Sequence, residues 1–183
     1  MTSPTMSLYR LWLAFGPRPS GIRQNRLLEV LRPMQNEHLL EIGPGGGYYS
    51  LPVAGKLREG GRLTLVDIDQ GMLDFTLKRL RSKGLDGVAR AVCSDASSLP
   101  FEDDSLDGAF LVAVLGEIGD RRAALRELFR VIRNGGRLIV GEVLFDPHAL
   151  RPNQLQHEVE EAGFEFEALG GTRWSYLARF RRP

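Results

Sequence analysis

Cysteine, histidine and an excess of either charge are scarce in this chain of 183 residues. One cysteine and three histidines are present, and 24 Lys and Arg residues balance 23 Asp and Glu residues. One cysteine excludes an internal disulfide and every zinc site built from cysteine pairs. A formal net charge of +1 gives no indication of a nucleic acid or an acidic partner, so no nucleic acid is expected to bind.

Long apolar runs are lacking as well. No segment approaches the ~20 apolar residues of a membrane-spanning helix, and the N-terminal residues have no continuous apolar stretch like that of a signal peptide. We therefore expect a cytoplasmic protein without a membrane span. Peripheral membrane contact stays open through the partly apolar residues 1–19 or the basic C-terminus. For residues 1–19, the alternative is an arm that covers the core. For the basic C-terminus, the alternative is a solvated edge strand that carries Arg173, Arg179, Arg181 and Arg182.

The histidines and the cysteine show no pattern of a catalytic or metal site. His38, His148 and His157 are not spaced as metal ligands with one another or with a pair of acids. Surface or structural roles are expected for them, and no metal site is predicted. Cys93 lies in an apolar, strand-like run, which favours inert packing.

Strand-like and helix-like segments alternate five times along the chain. Because parallel strands need crossover connections, this alternation predicts a parallel sheet with helices on both faces. Two consecutive strands at 165–169 and 174–180, linked by Gly170-Gly171, predict an antiparallel hairpin on one edge. The predicted fold class is α/β, a three-layer Rossmann-like sandwich with a mostly parallel seven-stranded sheet and an antiparallel C-terminal hairpin. The other predicted strands are 38–42, 62–68, 89–94, 106–114 and 137–143.

One core is enough for a chain of this length, which buries roughly 70% of the surface exposed by its unfolded form. We expect one domain over residues 1–183, with residues 1–35, the N-terminal arm and helix, as a candidate lid. The fourth helix is expected to end at Asn134-Gly135-Gly136. The predicted helices begin at or near Ser20, Tyr49, Gln70, Asp120 and Asn153.

A glycine-rich loop follows the first strand. Gly43, Gly45 and Gly47 permit a positive φ and lack the Cβ atoms that would keep a ligand away from the main chain. The dinucleotide-binding pattern G-x-G-x-x-G is not met, because Tyr48 stands where its third glycine is required. The pattern is E-x-G-x-G-x-G, which begins at Glu41 and indicates a ligand-binding loop preceded by an acid.

Aspartates end the second and third strands. Asp67 is placed to accept hydrogen bonds from both hydroxyls of a ribose, and Asp95 from the exocyclic amine of an adenine. Ligands of open α/β sheets bind at the carboxyl ends of the strands, so the glycine loop and both acids share one edge. Together they indicate a site for an adenosine that carries something other than a phosphate chain. Alone, each aspartate is as consistent with a helix cap.

Four segments carry a resemblance: LLEIGPGGGYYS at 39–50, LTLVDIDQGML at 63–73, CSDASSLPFEDDSLDGAFLVAVLGEIGD at 93–120 and ALRELFRVIRNGGRLIVGE at 124–142. The sequence resembles the class I S-adenosylmethionine-dependent methyltransferases, in particular the branch similar to the ubiquinone and menaquinone biosynthesis methyltransferases. The resemblance implies a single methyltransferase domain that uses S-adenosyl-L-methionine. It implies that the loop wraps the methionine part, that Asp67 holds the ribose and that Asp95 with Ala96 flanks the adenine.

The rest of the cofactor site follows from that ligand. Glu41 is a candidate for receiving the methionine amine, directly or through water, and the alternative is an acid that only caps the amides of the loop. Ile68 and Met72 are candidates for apolar walls against the adenine, although Met72 is also a candidate core residue. The predicted cofactor-binding residues are Glu41, Gly43, Gly45, Gly47, Asp67, Ile68, Asp95 and Ala96.

The acceptor side departs from the family pattern. Many relatives have a Leu-His-His-like run after the fourth strand, whereas this chain has Leu115-Gly116-Glu117-Ile118. No histidine can act there, so the candidate catalytic residue is Glu117, which either orients an amine, acts as a base or only caps the next helix. The chemistry expected is an in-line displacement that moves a methyl group to an acceptor. Only residues 1–35 and 145–153 are candidate lids, and they offer less recognition surface than a macromolecule needs. We therefore expect a small-molecule or lipid-like acceptor.

Two other functions stay open from the sequence. One is a protein that binds S-adenosylmethionine without turnover, as a sensor or a partner subunit. The other is a nicotinamide-dependent oxidoreductase. The sequence indicates neither the acceptor atom nor the oligomeric state.

Overall fold

A single sheet organises the structure, a computed structural model that describes residues 21–58 and 60–183. Its seven strands in that part of the chain are β1 (His38–Ile42), β2 (Arg62–Asp67), β3 (Ala89–Cys93), β4 (Leu106–Val112), β5 (Ile132–Val143), β6 (Glu165–Gly171) and β7 (Ser175–Arg181). Their order is β3-β2-β1-β4-β5-β7-β6. Neighbours from β3 to β5 are parallel, while β7 is antiparallel to both β5 and β6. The predicted fold class is confirmed.

Helices cover both faces of this sheet. They are α1 (Gln24–Leu31), α2 (Ser50–Ala54), α3 (Gln70–Arg81), α4 (Arg121–Val131) and α5 (Pro152–Glu161). Because successive side chains of a strand point to opposite faces, Leu39 of β1 packs in the core of α1, α2 and α3, and Leu40 packs in the core of α4 and α5. The three layers are therefore held by two apolar cores, one on each side of the sheet.

Side-chain caps fix where two of the helices begin. The carboxylate of Asp69 accepts hydrogen bonds from the N–H groups of Gly71 and Met72 at the start of α3. The carboxylate of Asp120 accepts a hydrogen bond from the N–H of Ala123 at 2.9 Å, at the start of α4. The prediction that Asp120 caps the fourth helix is confirmed.

The predicted end of the fourth helix at Asn134 is wrong. α4 ends at Val131, and the fully buried Ile132 already pairs with Leu106 as the first residue of β5. Gly135 has a φ of +75°, and its N–H donates to the carbonyl of Arg182 at 2.8 Å. The glycines are therefore an irregularity inside a long strand, because pairing with both neighbouring strands prevails over the local helix-stop signal.

The predicted first helix begins later than expected. Ser20 lies outside the described residues, and α1 starts at Gln24 with Arg23 as its N-cap. The helix after the glycine loop is also short, since it ends at Ala54, although Leu57 beyond it is buried.

The C-terminal hairpin turns at a different place from the prediction. Gly170 and Gly171 belong to β6, and the turn is formed by residues 172–174. The hydroxyl oxygen of Thr172 accepts hydrogen bonds from the N–H groups of Trp174 and Ser175. A Cβ on Gly171 would lie 2.3 Å from the carbonyl oxygen of Ser175, so close strand packing explains this glycine better than a turn does.

The expected burial of Cys93 is wrong, because its side chain is exposed on β3. β3 is the edge strand of the sheet, so one side of it has no neighbouring strand to cover it. The Sγ of Cys93 lies 3.5 Å from the carbonyl oxygen of Ile68, which ties it to the residue that follows β2.

The basic C-terminus is largely neutralised by acids. Arg179 pairs with Glu167 at 2.6 Å, Arg181 pairs with Glu165, and Arg182 pairs with Asp104. Since β6 supplies two of these acids, the arginines stabilise the hairpin at the edge of the sheet. The prediction that these arginines lie on an edge strand is wrong, because β7, which carries Arg179 and Arg181, lies between β5 and β6, and β6 is the edge strand.

A buried ion pair fixes α1 against the sheet. The guanidinium of Arg137 in β5 donates to both carboxylate oxygens of Glu37, at 2.7 and 2.6 Å, and to the carbonyl oxygens of Leu31 and Arg32 at the end of α1.

Of the predicted arm and helix at 1–35, the arm at 1–19 lies outside the described residues. In the ranges that are described, no helix is both long and apolar enough to cross a membrane.

Candidate functional site

The glycine loop leaves the carboxyl end of β1 and leads into α2. Its conformation is left-handed at three positions, with φ values of +66° at Gly43, +51° at Gly45 and +75° at Gly47. The predicted positive φ of all three glycines is confirmed. The N–H of Gly43 donates to the carbonyl of Val66 at 2.8 Å, so the loop begins beside the end of β2.

Helix α3 holds the loop from one side. The hydroxyl of Thr76 donates to the carbonyl of Gly45 at 2.7 Å, and the guanidinium of Arg79 donates to the carbonyl of Gly46. A Cβ on Gly47 would lie 2.9 Å from Cγ2 of Thr76. These two contacts were not predicted, because they join residues more than thirty positions apart and neither side chain stands out in the sequence.

The surroundings of the three glycines differ. A Cβ on Gly43 would lie 2.5 Å from Cγ2 of Val114, so that glycine is needed for packing between the loop and the segment after β4. Nothing lies within 4 Å of the position where Gly45 would carry a Cβ. Gly45 is thus the glycine of this loop that offers its backbone to open space.

Glu41 lies inside the protein, just before the loop. Its side chain is only 2% exposed, and its Oε2 accepts a hydrogen bond from the hydroxyl of Ser50 at 2.5 Å. Ser50 is the first residue of α2 and is fully buried. The contact joins the strand before the loop to the helix after it, and Ser50 was missed by the sequence analysis.

Asp67 and Ile68 stand at the end of β2. Oδ1 of Asp67 accepts a hydrogen bond from the N–H of Asp69 at 2.9 Å, which orients the carboxylate at the carboxyl edge of the sheet. Ile68 next to it is 76% exposed, which is an unusual environment for a branched apolar side chain. Met72 is buried on α3, so it lies closer to the core than to a surface wall.

Asp95 follows β3 and folds back on its own turn. Its Oδ1 accepts hydrogen bonds from both the N–H and the hydroxyl of Ser97, at 2.8 and 2.7 Å. These bonds lower the pKa of the exposed Asp95 carboxyl. Ala96 beside it is buried, and the N–H of Ser94 donates to the carbonyl of Asp67 at 3.1 Å. The ends of β2 and β3 are therefore in direct contact.

Glu117 ends a short 3-10 turn, Leu115–Glu117, after β4. The helix that follows is capped by Asp120, so the alternative that Glu117 caps it is wrong. Partial burial raises the pKa of the Glu117 carboxyl, and the negative charges of Asp146 and Asp67 add to this effect, while His148 opposes it. Glu117 therefore lies within electrostatic reach of the acid that ends β2.

The turn that carries Glu117 is tightly packed. A Cβ on Gly116 would lie 1.9 Å from the carbonyl oxygen of His148, so the turn and the segment after β5 touch through their backbones. Ala113, just before the turn, has a φ of +55°. A left-handed alanine costs conformational energy that the surrounding packing must offset, and such strain is common at functional sites.

Glu142, near the end of β5, was missed by the sequence analysis. Its side chain is 1% exposed, and within the described part of the chain its Oε1 has no hydrogen-bond donor. Burial raises the pKa of Glu142 to about 8, with further contributions from Asp146 and Glu117 and partial compensation by Arg121. The available signal was an acid at the end of an apolar strand, the same signal that singled out Asp67.

Over residues 21–58 and 60–183, no group of three or more His, Cys, Asp and Glu side chains is arranged to hold a metal ion.

The candidate site is the rim, the edge of the sheet at which the five parallel strands end, and it has two halves. Glu41, the glycine loop, Asp67, Ile68, Asp95 and Ala96 follow β1, β2 and β3. The other half consists of Glu117 after β4 and Glu142 in β5. The charge of Asp67 acts on Glu117, and the charge of Glu117 acts on Glu142.

Comparison with known proteins gives the family. The family described as a methyltransferase domain matches residues 40–140, more than half of the chain. The ubiquinone/menaquinone biosynthesis C-methyltransferase UbiE of Pectobacterium atrosepticum is 31% identical over 138 residues, which is 75% of this chain and 51% of that protein. The chain thus spans about half the length of this relative. The resemblance to that branch is confirmed as a similarity of sequence.

Solved structures agree on the fold. A SAM dependent methyltransferase from Aquifex aeolicus superposes with a TM-score of 0.87 over 100% of both chains at 16% identity. The cyclase SpnF superposes with a TM-score of 0.80 over 87% of this chain and 79% of its own, at 21% identity. At these identities the likeness concerns the fold alone, and it is the family match that shows that this chain belongs to the methyltransferase-domain family.

Proposed function

We propose that this protein transfers a methyl group from S-adenosyl-L-methionine to a small-molecule or lipid-like acceptor. The observation that carries the proposal is the family match over residues 40–140, which includes the glycine loop, Asp67 and Asp95. The printed name of the relative, a C-methyltransferase of ubiquinone and menaquinone biosynthesis, favours an acceptor related to these quinones. A single domain, a cytoplasmic location and a lid formed by residues 1–35 are parts of the same proposal.

The cofactor half of the rim is suited to an adenosine with an amino acid tail. The open space beside Gly45 gives the methionine part access to the backbone of the loop. Glu41 is assigned to the methionine amine and Asp67 to the ribose hydroxyls. The exposure of Ile68 is explained if the adenine covers it.

Asp95 and Ala96 complete the adenine end of the proposed site. Both hydrogen bonds from Ser97 go to Oδ1 of Asp95, so its other oxygen is assigned to the adenine amine. The methionine carboxylate has no assigned partner among these residues. The methionine amine, the ribose hydroxyls and the adenine amine each have one assigned acid, namely Glu41, Asp67 and Asp95.

When bound, S-adenosylmethionine supplies a methyl group on a positively charged sulfur. The work left to the chain is to hold the acceptor in line with that methyl group and to exclude water. Correct positioning alone contributes on the order of 7–11 kcal/mol to such reactions. Glu117, in the half of the rim that follows β4 and β5, remains the predicted candidate for orienting an acceptor or receiving its proton.

The proposal is tested by mixing the protein with S-adenosylmethionine labelled on its methyl group and an extract of metabolites and lipids. We expect label to move into a small, extractable product. Binding of the cofactor without transfer would support the sensor or partner subunit instead. Titrations with S-adenosylmethionine and with NADH complete the test, and tighter binding of NADH would support an oxidoreductase.

The cofactor assignment has its own variant. Asp67→Asn keeps an oxygen that can accept from the N–H of Asp69 but removes the charge that favours two hydroxyl donors. We expect the affinity for S-adenosylmethionine to fall by about 1–3 kcal/mol, measured by calorimetry. Asp86→Asn, in an exposed pair with Arg81, is the control and should bind as the original chain does. Unchanged affinity in a folded Asp67→Asn variant would place the ribose elsewhere.

A further inference from the structure

The half of the rim that follows β4 and β5 carries an exposed pair of aromatic rings. Phe145 is 61% exposed and Trp174 is 40% exposed. Their ring centroids lie 4.6 Å apart and their planes meet at 18°, so the two rings stack on each other. Single exposed apolar side chains are common on protein surfaces, whereas a contiguous pair beside a candidate site points to a contact surface.

The aromatic pair lies at the carboxyl edge of the parallel strands. Val143, the last residue of β5, is paired with Ser175, the first residue of β7. Phe145 comes just after β5, and Trp174 comes just before β7. The N–H of Leu144 donates to the carbonyl of Trp174 at 2.8 Å, which joins the two segments. The pair is therefore on the same edge of the sheet as the candidate site.

The turn of the C-terminal hairpin fixes the position of Trp174. Its N–H donates to the hydroxyl oxygen of Thr172 at 3.1 Å, and its carbonyl accepts from Leu144. Because both main-chain groups of Trp174 are bonded within the fold, the indole is held in place before any contact is made. A ring that is held in this way loses less conformational entropy on docking than a ring on a mobile loop.

Arg173 adds a cation to the aromatic pair. Its guanidinium carbon lies 4.2 Å from the centroid of the Trp174 ring. Each of the other C-terminal arginines, Arg179, Arg181 and Arg182, pairs with a carboxylate. Among the described residues, no carboxylate pairs with Arg173. Of these four arginines, Arg173 thus keeps its charge for a contact outside the chain.

Acids on the same edge limit the positive charge around the pair. Asp146 follows Phe145 directly, and its Oδ1 accepts a hydrogen bond from the N–H of His148 at 2.8 Å. Asp146 also raises the pKa of Glu117, so both acids lie near the same part of the rim. Since the net charge there is small, a partner must combine burial of the rings with a group for one cation.

A phospholipid surface fits this combination better than another protein does. Aromatic side chains bury about 150–250 Å² each, so two partly covered rings fall well short of the roughly 800 Å² per partner of a stable protein interface. Tryptophan is suited to the boundary between acyl chains and headgroups, because its ring is apolar and its N–H is polar. The planar guanidinium of an arginine matches the oxygens of a phosphate.

We propose that Phe145 and Trp174, together with Arg173, dock the carboxyl edge of this protein on a phospholipid bilayer. The two rings enter the headgroup region, and the guanidinium contacts a lipid phosphate. This contact turns the half of the rim that follows β4 and β5 towards the membrane, where a lipid-like acceptor dissolves. The inference goes beyond the proposed function, and only the access of the acceptor rests on that function. Binding is reversible and no stronger than that of a single acyl anchor.

Co-sedimentation with vesicles measures this contact. The full chain is mixed with vesicles of phosphatidylcholine, and with vesicles of an equal mixture of phosphatidylcholine and phosphatidylglycerol, at millimolar lipid. We expect about fivefold stronger binding to the mixed vesicles, the effect of one cation at an anionic surface, and Arg173→Gln should lose this preference. The double variant Phe145→Ala with Trp174→Ala should bind both kinds of vesicle about tenfold more weakly, because the apolar area is lost.

Met34→Ala and Arg62→Gln are the matched controls. Met34 is 57% exposed and lies just before β1, and Arg62 is exposed at the start of β2, so both lie at the opposite edge of the sheet. Both controls should bind vesicles as the original chain does. Every variant should bind S-adenosylmethionine within about twofold of the original chain, since distant sites act independently. That measurement also shows that the variants are folded.

Tryptophan fluorescence identifies the residue that enters the bilayer. The chain has two tryptophans, Trp12 and Trp174, so Trp12→Phe reports on Trp174 alone and Trp174→Phe reports on Trp12 alone. Vesicles of brominated phosphatidylcholine quench a tryptophan that reaches the acyl chains. We expect quenching in Trp12→Phe. Quenching confined to Trp174→Phe would assign the contact to the N-terminal residues and overturn the proposal.

The remaining results separate this surface from the methyltransferase function. Absence of vesicle binding, or binding that the double variant leaves unchanged, would overturn the docking surface and leave the methyltransferase function as it stands. Vesicle binding that depends on the pair, in a protein that transfers no methyl group, would support the surface and refute that function. Self-association that the double variant abolishes, without vesicle binding, would replace the bilayer by a second copy of this chain and so overturn the proposal.

Discussion

Gly43 and Gly45 share a left-handed backbone but have opposite surroundings. The first is pressed against Val114, whereas nothing lies within 4 Å of the Cβ position of the second. An added methyl group therefore tests two different roles in one loop. It meets protein at Gly43 and the space assigned to the cofactor at Gly45.

Gly45→Ala is expected to lower the stability by only about 1 kcal/mol, the cost of a left-handed alanine, and to weaken binding of S-adenosylmethionine at least tenfold. Gly43→Ala should lose about 1–3 kcal/mol more stability through overpacking. Urea unfolding and calorimetry measure the two effects. Normal cofactor binding by Gly45→Ala would show that the ligand does not approach this glycine.

Glu142 also predicts how stability depends on pH. Its folded-state pKa of about 8 lies well above that of an unfolded glutamate, so the folded protein holds a proton that the unfolded chain has lost. Stability should therefore fall from about pH 5 to pH 8, by at most about 1.4 kcal/mol per pH unit from this residue. Glu142→Gln should remove this decline in chemical unfolding curves, and a variant with the same slope would contradict the shift.

Helix α3 supports the site with both of its ends and its middle. Asp69 caps its first turn beside Asp67, while Thr76 and Arg79 hold the carbonyls of Gly45 and Gly46. The helix thus fixes the conformation of a loop to which it is not adjacent in sequence. In the proposed function, this support preorganises the loop before the cofactor binds.

Thr76→Val should weaken cofactor binding through the loop. The substitution keeps the shape of a buried side chain but leaves the carbonyl of Gly45 without its donor, at a cost of about 1–3 kcal/mol. Hydrogen exchange of the loop amides should accelerate, and the affinity for S-adenosylmethionine should fall. Lys78→Ala, exposed on the same helix, is the control. Unchanged loop exchange in Thr76→Val would mean that Arg79 alone holds the loop.

The order of elements was readable from the sequence, whereas several of their ends and partners were not. Alternating apolar runs and turn residues predicted the sheet, and glycine at alternate positions predicted a left-handed loop. The end of α4 was missed because Ile132 suits a helix and a strand equally well in a short window. Thr76, Ser50 and Glu142 were missed because their roles depend on neighbours that only the folded chain provides.

The whole molecule is tied together across its length by Arg137 and Glu37. Arg137 is 8% exposed and Glu37 is 2% exposed, and their pair links the residue before β1 to β5, one hundred residues away in sequence. Arg137 also donates to two carbonyls at the end of α1. Both ionic groups are thus supplied with hydrogen bonds, as buried charges require.

Removing one partner should destabilise the whole fold. Arg137→Met leaves the Glu37 carboxylate buried without its cation, so the free energy of unfolding should fall by about 3–5 kcal/mol in urea. Adding Glu37→Leu should restore part of the loss, because no buried charge then remains unpaired. Arg26→Met, in an exposed pair with Glu29, should change stability by less than about 1 kcal/mol. A similar loss in both single variants would contradict the role assigned to burial.

The contact between Gly116 and the carbonyl of His148 limits how this protein can be redesigned. The backbone carbonyl of His148 occupies the volume that a side chain at position 116 would need. Grafting a histidine onto position 116 alone would displace residues 146–150. A redesign of this turn must therefore exchange residues 115–117 and the segment that carries His148 together.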